Sequence, residues 1–147
     1  MKRTSLLLAA VLLLLTFPAC EDSDIALITD KLDEASIASK TAGTAIEGMY
    51  DQGFLSAELA LDITQAALEF DRVLLEAIEV TRAVHSLDQP QRDQIIEILQ
   101  PVLEALDRVI QKTELIESDK AKLAIRAGLI TAQTALEHIQ AVIKSRS

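Results

Sequence analysis

Apolar residues recur at alternating intervals of three and four in four separate runs that fill most of the chain after residue 24. That spacing keeps one face of an α-helix apolar over many turns, the pattern of helices packed lengthwise on one another. The first run extends from Asp24 to Tyr50 through Ile25, Ile28, Leu32, Ala35, Ser39, Ala42, Ile46 and Met49. Gly53 in YDQGF ends it, because glycine enters left-handed turn conformations readily. The second run starts near Ser56, an expected N-cap with Glu58 in the first turn. Its seam is Leu59, Ile63, Ala66, Phe70, Val73, Ala77, Val80 and Val84, widened by Ala67, Leu74 and Ile78.

In the connection SLDQPQ, Asp88 is the expected cap of a third helix, with Pro90 in its first turn and Gln91 at the capping-box position. The third seam is Ile95, Leu99, Val102, Leu106 and Val109. Pro101 lies inside it and removes one backbone hydrogen bond, yet the apolar period continues across it, so a kink is expected and not a boundary. Ser118 caps the fourth run, whose seam is Ile125, Leu129, Ala132, Leu136, Ile139 and Ile143. Lys144 and Arg146 close it, where cations suit the helix dipole.

Four helices of about 25 residues, each about 38 Å long, are thus joined by short connections. Short connections make sequence neighbours antiparallel. The expected architecture is all-α: an antiparallel up-down-up-down four-helix bundle over residues 25–147.

The first nineteen residues, MKRTSLLLAAVLLLLTFPA, have a different character. Lys2 and Arg3 precede an aliphatic run of about ten residues, half of what a spanning helix needs. A charged start followed by a short apolar segment and a small residue describes a secretory signal peptide. The only cysteine of the chain, Cys20, follows immediately. Ala19-Cys20 resembles the lipobox of bacterial lipoproteins, although Phe17 and Pro18 stand where leucine and a small residue are usual. The resemblance covers residues 1–20 alone. It implies cleavage between Ala19 and Cys20 and acylation of the Cys20 thiol, with residues 20–24 as a short tether. Such a tether spans about 10–15 Å at about 3.3 Å per residue, which would hold the bundle close to the bilayer.

Charge narrows the partners. The chain carries 14 Lys and Arg against 23 Asp and Glu, a net −9. Removing residues 1–19 takes away two cations and no acid, leaving 12 against 23, or −11, on 128 residues. Such a surface repels nucleic acid and anionic headgroups, so no nucleic-acid partner is expected and membrane attachment rests on the lipid. Beyond the leader the aromatics are Tyr50, Phe54 and Phe70, too few for a stacking platform.

Helical bundles often hold metals or haem, and neither is expected here. His85 follows Arg82 at three residues and His138 follows Ala135, so neither forms the Glu-x-x-His pair of a di-iron site. No Cys-x-x-Cys-His exists for covalent haem. His85 is expected in the last turn of the second helix and His138 at the rim of the fourth. No nucleophile–base constellation emerges, and a non-enzymatic protein without cofactor is the expectation.

The stretch ASIASKTAGTAIEG at 35–48 has small residues on every side. Close helix packing accounts for it. Two functional readings stand beside that: a groove for a partner's helix, or an unfilled cavity for an apolar ligand. Both place a partner or ligand surface at Ala35, Ser39, Ala42, Gly43 and Ile46. The expected function is an envelope lipoprotein whose bundle serves as adaptor, inhibitor or accessory subunit for another envelope protein. The alternative is a carrier or sensor of a lipid or small apolar molecule. Self-association is compatible with both. The periplasmic face of the outer membrane is the favoured location, with the inner membrane as the alternative.

Overall fold

The computed structural model describes residues 18–146, with side chains from Ser23 onward. The leader as far as residue 17 and the side chain of Cys20 lie outside the described residues. Four α-helices make up the fold: α1, Pro18–Asp51; α2, Ala57–Arg82; α3, Gln89–Glu114; and α4, Asp119–Ser145. They form a four-helix bundle in which α1 packs on α2, α2 on α3, α3 on α4, and α4 back on α1. The last pairing, between the two helices farthest apart in sequence, is the most extensive.

Local chemistry fixes the starts of α2, α3 and α4 and the turn after α1. The Ser56 side chain accepts from the Leu59 N–H at 3.2 Å, Asp88 from Gln91 at 3.2 Å, and Ser118 from Ala121 at 3.3 Å. Each side-chain oxygen satisfies a donor that the first helical turn leaves unpaired. Gly53 closes α1 with φ of +77°, where its N–H bonds the Tyr50 carbonyl and the Phe54 N–H bonds that of Met49, both at 2.9 Å. This reciprocal pair is a Schellman motif.

The seams lie where the spacing puts them. All five seam residues of α3 and all six of α4 are buried, and Phe70 is the one fully buried aromatic of the core. Along α2 the buried stripe is displaced by one position in places: Ala67, Leu74 and Ile78 are buried while Ala66 and Val80 are only partly so. Leu55, Val84, Leu87 and Ile116 fold inward from the connections and seal the ends of the core.

Two boundaries differ from the expectation. Residues 20–24, expected as an extended tether, are helical, and α1 begins at Pro18. Secondly, α2 ends at Arg82, so His85 lies in the exposed connection and Arg82 supplies the cation of the last turn. The chain tightens there, with the Ala83 and Val84 N–H groups bonding carbonyls three residues back at 3.1 Å. As expected, α3 runs through Pro101 without a boundary. Among the described residues no helix is long and apolar enough to cross a membrane, and no three His, Cys, Asp or Glu side chains cluster as metal ligands.

Candidate functional site

The close pairing of α1 with α4 creates the largest surface concavity described, a groove of about 570 Å³. Small residues on both helices are the cause. Gly128 of α4 lies against the backbone of α1 at Ala38 and Ala42, so no side chain fills the valley between the two cylinders. Ala38, Ala127 and Gly128 form the floor, and Ile37, Thr41 and Thr131 form the walls. Asp30, Asp33 and Glu34 line the end nearer the start of α1.

The wall threonines are turned back on their own helices. The Thr41 hydroxyl donates to the Ile37 carbonyl at 3.0 Å and that of Thr131 to the Ala127 carbonyl at 3.1 Å. With their hydrogens occupied, they leave the groove's middle without a free hydroxyl donor. Ile37 stands at the edge with 67% of its surface exposed. On α4, Leu123 and Ile130 are also exposed, and they border a separate recess of about 360 Å³ with Asp119, Lys122 and Arg126. Isolated exposed aliphatics are ordinary, whereas a contiguous set around a concavity marks a contact site.

Charges around the groove are unevenly placed. Arg82 of α2 reaches both Asp33 oxygens, at 3.2 and 3.3 Å, and Lys31 pairs with Glu34 on the same helix. Asp30 has no ion pair among the described residues. Two cations of α4 are drawn toward α3, where Arg126 meets Glu114 at 2.8 Å and Lys122 lies 3.6 Å from the same carboxylate. On the outward face of α2, the guanidinium of Arg72 hydrogen-bonds Glu69 and holds its carboxyl below the usual range.

The five residues expected to form a partner or ligand surface do not line this groove. Ala35, Ala42 and Ile46 are buried in the bundle interior. Ser39, Gly43 and Ile46 border a smaller recess of about 150 Å³ between α1 and α2, beside Lys40, Glu47 and Leu68. The reason is helical phase. Seam residues point to the bundle axis, while the groove is built from the turns of α1 that face outward toward α4, at 30, 34, 37 and 41. The sequence signal for it was Ile37, an isoleucine off the seam of α1.

A second off-seam series stands on α2. Leu61, Leu68 and Leu75 recur every seven residues and are 57%, 61% and 55% exposed. None of the three lines the α1–α4 groove, and Leu68 borders the smaller recess between α1 and α2. His85 and His138 are both exposed and neither borders the groove.

No protein-family model matches the chain, nor does any curated protein or any solved structure.

Proposed function

We propose that this protein is a bacterial envelope lipoprotein, held at the membrane through acylated Cys20, whose bundle docks a partner protein close to the bilayer. The observation that supports this reading is the open, apolar-floored groove between α1 and α4. Its position adds to it. Because α1 is continuous from Pro18, the groove's near end at Asp30 lies about 15 Å along the helix from Cys20. A partner in the same membrane, or peripheral to it, meets this surface first. The favoured location is the periplasmic face of the outer membrane. The role is adaptor, inhibitor or accessory subunit, without chemistry of its own: the groove offers carboxylates and backbone-bonded threonines, with neither histidine beside them.

The carrier reading has less support. A ligand pocket encloses most of its ligand's surface, whereas this groove is open to solvent along its length. Of the small residues of α1 that suggested an internal cavity, Ala42 lies against Gly128 of α4.

Native mass spectrometry on the protein released gently from its own membranes tests the proposal. The expected species carries acyl mass at Cys20 and a stoichiometric second protein. A chain without acyl mass removes the anchor, and a chain without a partner at any extraction strength removes the docking role. Non-covalent mass of a few hundred daltons in place of a protein would transfer support to the carrier reading.

A further inference from the structure

Resting on the docking reading above, we infer that the element received by the α1–α4 groove is a short amphipathic helix of the partner, with basic residues at one end. From Asp30 to Thr41 the groove runs eleven residues of α1, about 16 Å, the length of three turns of a partner helix. A helix laid in a valley between two helices presents anchors at i, i+3, i+4 and i+7, which would meet Ile37, Ala127 and the methyl groups of Thr41 and Thr131.

Charge decides the rest. The groove's lining contributes three carboxylates and no cation, all three at the end nearer the α1 N-terminus. Lys122 and Arg126 of α4 are held by Glu114 of α3, away from the groove lining. Asp30 is unpaired among the described residues, and the pairs of Asp33 with Arg82 and Glu34 with Lys31 are partly exposed, the kind that yields readily to a competing cation. A basic residue of the partner therefore gains at this end without displacing a strong internal bond. The net −9 of the chain steers such a partner inward. The same charge opposes a second copy of this chain as occupant.

The test is fluorescence anisotropy with the full chain in phosphatidylcholine nanodiscs. The titrant is a labelled helical peptide of about 14 residues, with leucines at i, i+3, i+4 and i+7 and lysines in its last turn. A second peptide has those lysines replaced by glutamine. The lysine peptide is expected to bind, with roughly tenfold loss on Ile37→Ser and a severalfold loss on Asp30→Asn or with the glutamine peptide. Leu68→Ser, on α2, is expected to leave binding unchanged. All three substitutions are at exposed positions and are checked for unaltered thermal unfolding. Equal binding of the two peptides, still lost on Ile37→Ser, overturns the basic partner while leaving groove docking in place. Binding insensitive to Ile37→Ser, lost on Leu68→Ser, or equal on empty nanodiscs overturns the groove as receptor. Absence of binding by both peptides overturns the inference, whereas the docking role itself falls only on the native mass result.

Discussion

Gly128 of α4 lies against the main chain of α1, and a Cβ at this position would stand 2.7 Å from the carbonyl oxygen of Ala38 and 3.0 Å from the Ala42 nitrogen. The obstacle is backbone, which no rotamer change relieves. The spacing between α1 and α4, and with it the depth of the groove above, is therefore set by a missing side chain. Gly128→Ala should destabilise the fold despite the better helix propensity of alanine. Overpacking costs about 1–3 kcal/mol, and the propensity gain offsets about 1 kcal/mol. The urea midpoint should fall with the slope unchanged; a rise would mean that the helices separate freely here.

Ala42 faces the same contact from the other helix. It is fully buried, and its Cβ is 3.1 Å from where one on Gly128 would stand. Ala42→Leu places a branched side chain where no volume is free, at an expected cost of about 1–3 kcal/mol. Chemical denaturation reads it directly. A stability gain would reveal an unfilled cavity at this position and reopen the carrier reading.

These two contacts also mark how far the sequence could be read. Helix number, caps and seams were legible because each depends on near neighbours: a serine or aspartate at an N-cap, a glycine at Gly53, an apolar residue every three or four. The stretch 35–48 was visible as unusual, and close packing was one account of it. Its partner was not visible, since pairing of α1 with α4 joins residues ninety apart through a glycine that looked like any other in a helix. The groove was hidden for a related reason. Ile37 and Asp30 read as ordinary surface until α4 lies beside them. The helical state of residues 20–24 was not legible, because the position of Cys20 set them aside as a tether.

Ser118 accepts from the Ala121 N–H at the start of α4, in a connection of a few residues that must reverse the chain. Replacing it with alanine leaves that donor without its side-chain acceptor, in a turn that is only partly open to water. Ser118→Ala should lower stability by about 1 kcal/mol, and Ser118→Asp should restore most of it, since aspartate caps comparably. Thermal unfolding of both variants checks this; equal melting of alanine and wild-type chains would show that the cap contributes nothing.

Pro101 sits midway along α3, exposed, and is continued on both sides by regular helix. It lacks the N–H that would bond the Glu97 carbonyl, and its ring crowds that same turn. Buried neighbours Val102 and Leu106 nevertheless face the core. If Pro101 serves no purpose in seating them, Pro101→Ala should regain a hydrogen bond and stabilise the protein by about 1–2 kcal/mol, less than the full difference in helix propensity because the turn must still relax. The urea midpoint should then rise. A lower midpoint would carry a different meaning: that the curvature imposed by Pro101 lays the second half of α3 onto the core, and that straightening the helix lifts Val102 and Leu106 away from it.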